Sequence, residues 1–194
     1  MVGTAWAEPA AHPPFPALPL EFAVASSDGS PVVDPPWLDA QVDRANEVFG
    51  RHGVRFELHH RRPLDSRHAM LETRRDRHAL GAEAQPGVIN CFVVKSLRDV
   101  DDPSRFRRGV HWHPKGFPRM HFIILSSIAG PGVLTHELGH FFGNREHSPV
   151  RGNVMSYDWG DGEPVFDPAQ VARIRDSARR FLRTRELVAV ERPR

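Results

Sequence analysis

The chain has 194 residues, 40% of them hydrophobic, with 26 basic and 24 acidic side chains and a formal net charge of +2. That length suits one domain, with or without tails, and that apolar share can build a sizeable core. The near balance of charge excludes a dedicated nucleic-acid binder, which carries a basic stripe or a high net charge, and no run of about 18 apolar residues exists to span a membrane.

The N-terminal segment ends a short apolar stretch in Ala5-Trp6-Ala7, the A-x-A form of a signal cleavage site. A signal remnant there implies a secreted or periplasmic protein, although the charged region and full apolar region of a signal peptide are missing. Prolines 9, 13, 14, 16 and 19 follow, so residues 1–19 are expected to be a remnant and a proline-rich arm. A single domain is expected over 20–194. Leu20–Val24 alternates like a strand, and Asp28-Gly29 supplies a turn. Asp34 can cap a helix with Pro35 in its first turn, and Leu38, Val42, Ala45 and Phe49 recur at helical spacing. Gly50 and Gly53 offer a stop.

Residues 54–58 alternate again as a strand. The Arg- and His-rich stretch 59–80 reads as a solvated face with helical signals over 67–80. Val88–Val94 is a nearly continuous apolar run, expected to be a central strand buried on both faces. It contains Cys91, the one cysteine, which is expected to be a packed, inert thiol. Residues 109–118 read as irregular and His121–Leu125 as another strand. After an irregular stretch over 143–166, Asp167, Pro168 and Gln170 announce a last helix with a capping box. Its apolar face is Val171, Ile174, Ala178, Phe181 and Leu182. The fold class is therefore α+β: a twisted mixed sheet backed by helices, closed by a C-terminal helix.

The chemistry concentrates at His136-Glu137-Leu138-Gly139-His140. Residues four apart share a helix face, so both imidazoles reach one ion. Zinc accepts neutral imidazole and takes about four ligands. Glu137 falls beside such an ion. Val133, Leu134, Leu138, Phe141 and Phe142 make the helix internal, and buried polar groups need partners or a metal. Gly143 can end the helix in a left-handed conformation and turn the chain so that a third ligand returns. Met155 and Tyr157 follow downstream.

From His136 to Tyr157 the chain resembles the metzincin metallopeptidases, whose signature is H-E-x-x-H-x-x-G-x-x-H followed by a Met-turn. His136, Glu137, His140 and Gly143 match in register, and Met155 resembles the Met-turn methionine. The strict register puts Glu146 at the third ligand position, with His147 one residue late. The His147-Ser148 pair and its short distance to Met155 resemble the matrixins and favour His147, with Glu146 as the alternative. Tyr157 stands as in the astacin-like and serralysin-like branches, where tyrosine binds zinc or stabilises the oxyanion. The upstream order of elements resembles the pappalysin-like branch.

What the resemblance implies is a metzincin-like zincin with Zn2+ on His136, His140 and His147. Its activity is endopeptidase hydrolysis by metal-activated water, with Glu137 as general base and Tyr157 on the oxyanion. Protein or peptide is the substrate, and the chain acts as a monomer. The alternative is a zinc-containing peptide-binding module that has lost catalysis. Retention of Glu137 speaks against it. A closed structural zinc site is disfavoured because only three good ligands are present.

Two further groups carry candidate metal-binding side chains. His111 and His113 lie on one side of an extended segment, where they can share a second metal. The plainer expectation is a pair at a strand edge beside the substrate cleft. Asp158, Asp161, Glu163 and Asp167 lack EF-hand spacing and read as a polar loop.

Overall fold

A computed structural model of the chain describes residues 14–117 and 119–190. The expected signal remnant at 1–7 and the arm as far as residue 13 lie outside the described residues.

The elements follow in this order: β1 (Leu18–Ser27), β2 (Ser30–Pro31), α1 (Pro35–Gly50), β3 (Phe56–Leu64), β4 (Met70–Leu71), α2 (Arg74–Ala79), β5 (Ile89–Val94), β6 (Ser96–Leu97), β7 (Gly109–Trp112), β8 (Phe122–Ser126), α3 (Val133–Phe141) and α4 (Pro168–Thr184). Short 3₁₀ turns at 66–68 and 80–83 flank β4 and α2.

The main sheet runs β3-β1-β5-β8-β7, with β2 folded back on the end of β1. β3, β1, β5 and β8 are mutually parallel, and β7 closes the sheet antiparallel to β8. The sheet is mixed and the class is α+β, as the order of elements implies. β1 begins two residues ahead of Leu20, and Phe15 already bonds through its N–H to the Gly53 carbonyl.

Both faces of the sheet are buried, and the period of two sorts the side chains. Leu18, Leu20, Phe22, Ile89, Cys91, Val93, Ile123 and Leu125 point toward α1, α3 and α4. Ala23, Ala25, Phe92, Val94, Phe122 and Ile124 face the opposite layer, built from the 69–80 segment and Leu97. This double burial is why Val88–Val94 shows no polar alternation. Cys91 is fully enclosed, and burial pushes its thiol well above the ordinary range.

Helix starts are set by local chemistry. The Asp34 carboxylate accepts from the Trp37 N–H at 3.0 Å, ahead of Pro35-Pro36. Asp167 and Gln170 make a reciprocal capping box at α4, with Pro168 at the first helical position. α4 buries Val171, Ile174, Ala178 and Phe181.

Three expectations need correction. Residues 109–118 are not irregular throughout, since Gly109–Trp112 is the edge strand β7. The strand at 54–58 instead spans Phe56–Leu64. It pairs only with β1, so its polar residues 59–62 sit at an open edge and hide the strand pattern. The 67–80 helix contracts to Arg74–Ala79. Among the described residues no helix is long and apolar enough to cross a membrane.

Candidate metal centre and cleft

α3 lies beneath the cleft beside β7 and β8. Its first residue follows Gly132, which offers no side-chain cap. Gln41, buried on α1, takes that role from a distance. Its amide oxygen accepts from the Leu134 N–H at 3.2 Å, and its nitrogen donates to the Gly130 carbonyl at 3.0 Å. A polar residue on an otherwise apolar helix face was the available sequence signal for it.

His136 and His140 project from one face of α3, their ring centroids 4.8 Å apart. His147 reaches them from the loop after the helix, its ring centroid 5.2 Å from His136 and 5.0 Å from His140. One ligand atom from each of the three lies within 4.8 Å of the others. Glu146 is exposed and lies outside this group. Gly143, with φ of 99°, makes the turn that returns the chain. It allows a left-handed turn that a side chain would strain.

The ring orientations test whether a metal fits. His136 Nδ1 lies 2.8 Å from the Val154 carbonyl oxygen, and His140 Nδ1 lies 2.6 Å from that of Asn144. A carbonyl only accepts, so each Nδ1 carries the proton and each Nε2 is left with its lone pair in the neutral ring. His140 Nε2 stands 3.3 Å from His147 Nε2. Burial lowers the pKa of His136, and burial with the neighbouring His136 lowers His140 to about 4. Three imidazoles with converging nitrogens, two of them oriented by carbonyls, are a donor set that fits a metal ion such as zinc.

Glu137 is 6% exposed. Burial pushes its pKa up to about 8, while the His111 backbone N–H and the Arg107 charge pull in the other direction. β7 approaches closely because residue 109 has no side chain. A Cβ on Gly109 would sit 2.5 Å from Val133 Cγ1 and 3.1 Å from Glu137 Oε1.

Met155 is fully buried beneath α3. Asn153 Oδ1 accepts from the Met155 N–H at 2.8 Å, and paired Asn153 and Gln170 amides fasten this turn to the start of α4. The Ser148 N–H donates to the Met155 carbonyl at 2.9 Å, which ties the His147 loop to the same turn. Gly139 leaves the space that Met155 fills, since an added Cβ would stand 2.3 Å from the Met155 sulfur and 3.3 Å from Phe166. Overpacking of this kind costs about 1–3 kcal/mol, partly offset by alanine's helix preference of about 1 kcal/mol. Gly139→Ala is therefore expected to lower the thermal midpoint by a few degrees, and by less in a Met155→Ala background. Equal losses in both backgrounds would count against the contact.

Tyr157 is 75% exposed at the cleft. Its ring stacks on His147 at 4.3 Å, and its hydroxyl lies 3.4 Å from His147 Nδ1. The Arg107 guanidinium stands near Tyr157 and pairs with Asp99 at 2.7 Å. The residues that sequence reasoning missed are Gln41, Arg107, Asn153 and the carbonyls of Asn144 and Val154. Backbone carbonyls carry no sequence signal.

The cleft is a cavity of about 1240 Å³ that holds all three imidazoles, Glu137 and Tyr157. β7 forms one wall with its outer edge unpaired in the sheet. Seven arginines line the cavity against Asp99, Asp101, Glu137 and Glu186. Of these arginines, Arg105, Arg108, Arg119 and Arg145 are exposed and make no ion pair among the described residues. The acidic loop at 158–167 instead pairs outward: Asp158 and Asp161 meet Arg151, and Glu163 meets Arg51.

Comparison with solved structures identifies the fold. The chain is similar to an archaemetzincin from Methanopyrus kandleri, with 17% identity and a TM-score of 0.54, covering 84% of this chain and 96% of that one. It is also similar to metalloproteinase-II from Bacteroides fragilis, with 14% identity and a TM-score of 0.57, covering 87% of this chain and 55% of that one. The fold is that of zincin-like metallopeptidases. No protein-family model matches the sequence, and no curated protein matches it.

Proposed function

We propose that the protein is a zinc-dependent endopeptidase of metzincin type, with His136, His140 and His147 as the metal ligands. The observation that carries this reading is the convergence of these three imidazoles beside buried Glu137 in an open cleft. The likeness to two metallopeptidase folds supports it. An ion held there supplies a positive charge that polarises a scissile carbonyl, acidifies water and favours the ionised form of Glu137.

The rest is done by the chain. Its β7 edge offers N–H and carbonyl groups to an extended peptide, which would lie across the cleft as an added strand. Glu137 takes one proton from the attacking water and passes it to the departing amine nitrogen. The water's oxygen ends on the acyl carbon as the C–N bond breaks. Tyr157 and Arg107 stand at the cleft, where a hydroxyl and a guanidinium stabilise developing negative charge on the carbonyl oxygen. Met155 is the floor that holds α3 in place. The excess of arginines gives the cleft a positive field that favours acidic substrate side chains.

Zinc content measured alongside cleavage of casein and of a peptide library tests the reading. One zinc per chain at this centre, cleavage abolished by a chelator and restored by zinc, and enrichment of Asp and Glu near the scissile bond are expected. Zinc binding without any cleavage would favour a peptide-binding module instead.

A further inference from the structure

A second set of imidazoles packs beside Phe141. His111, His113 and His121 each offer one ring nitrogen within 4.8 Å of the others. They come from the two sides of the β7–β8 hairpin. Trp112 pairs with Phe122, so one step along the hairpin sets His113 across from His121, and the two rings stack 5.1 Å apart. His111 lies two residues before His113 on the same face. The face is the one turned to α3, since His111 pairs with Ile123, a side chain packed in the α3 layer. His121 also stacks on Phe141 at 4.0 Å.

The hydrogen bonds orient this cluster. His121 Nε2 lies 2.9 Å from Glu186 Oε1. A carboxylate accepts, so Nε2 carries the proton and Nδ1 is the nitrogen left to face the cluster. That Nδ1 faces His111 Nε2 at 2.8 Å. A carboxylate behind one imidazole, with the opposite nitrogen aimed at a second imidazole, is the outer-shell pattern of a metal-binding histidine. Zinc–nitrogen bonds of about 2.0–2.1 Å in tetrahedral geometry place donors roughly 3.3 Å apart. The His111–His121 pair must therefore open by about half an ångström. His113 is exposed and can swing to become the third donor.

We propose that His111, His113 and His121 form a second zinc site, oriented by Glu186, distinct from the centre on α3. Its ion would tie the β7–β8 hairpin to the chain just beyond α4 and brace the wall of the cleft. Three imidazoles without thiolate or calcium-type oxygen ligands select a borderline metal such as zinc.

Zinc is counted by elemental analysis after equilibrium dialysis against micromolar zinc, on the full chain and three variants. The wild type is expected to hold two equivalents. His113→Ala, an exposed position whose loss leaves the core intact, should hold one, and so should the double variant His136→Ala/His140→Ala. Glu186→Gln should weaken only the second binding step, by about 10–100-fold in a calorimetric titration. One equivalent in both wild type and His113→Ala, or two in both, overturns the proposal. In the first case the cluster is a hydrogen-bonded imidazole–carboxylate chain only. Failure of the α3 centre would read differently: one equivalent in the wild type and none in His113→Ala. If the double variant does not fold, the wild type and His113→Ala still decide the matter.

Discussion

Glu137→Gln is expected to reduce peptide hydrolysis by about 10²–10⁴-fold, the range general-base catalysis contributes, while zinc content stays unchanged. The side chain is close to isosteric, and its amide oxygen can still accept the His111 N–H that now meets the carboxylate. What is lost is the capacity to take a proton. Glu137 is also outside the group of three imidazoles, so metal retention separates a chemical role from a structural one. Folding should not suffer, because burial already penalises the charged form. Steady-state cleavage of a peptide selected from the library, with parallel zinc analysis, measures both. Equal kcat/KM for the two proteins would remove Glu137 from the mechanism. Loss of zinc together with activity would make it a site-building residue instead.

The parts that were legible before the structure share one physical feature: their signals are local. Asp34-Pro35 and Asp167-Pro168-Ala169-Gln170 announce their helices because caps are satisfied within one turn. The His136–His140 spacing speaks for itself because a helix holds both residues on one face. The apolar run at 88–94 is readable because both of its faces are buried. What was hidden depends on pairing between distant segments. β7 has only four residues, among them Gly109 and His111, and it exists as a strand through its register with β8. His111 and His113 are visible as a pair. Nothing local brings His121 to them, because that approach is made across the hairpin. Gln41 caps α3 from a residue 93 positions away. The preference for His147 over Glu146 rests on the likeness of His147-Ser148, and of its distance to Met155, to the matrixins; what brings the loop back, the tie from Ser148 to the Met155 carbonyl, has no local signal.

That tie leads to the second large effect. His147→Ala is expected to abolish zinc binding at the α3 centre at micromolar free metal, whereas Glu146→Ala should leave binding there within twofold of wild type. His147 supplies one of three converging nitrogens, and loss of a ligand exceeds the roughly 10–100-fold cost of losing an outer partner. Glu146 points away to solvent, and its removal touches neither the Ser148–Met155 bond nor the Tyr157 stack on His147. Thermal unfolding with and without zinc gives an independent reading. Zinc at 100 times its dissociation constant stabilises the folded chain by about 2.7 kcal/mol. For a domain of this size that is a rise of roughly 5–10 °C in Tm. Each site that binds zinc at the working concentration adds its own rise, so the His147→Ala comparison is made in the His113→Ala background, where only the α3 centre remains. There the zinc-dependent rise should vanish with His147→Ala and persist with Glu146→Ala. The reverse pattern would move the third ligand to Glu146, restore the strict H-E-x-x-H-x-x-G-x-x register with a carboxylate in the last place, and leave His147 as the partner of Tyr157 alone.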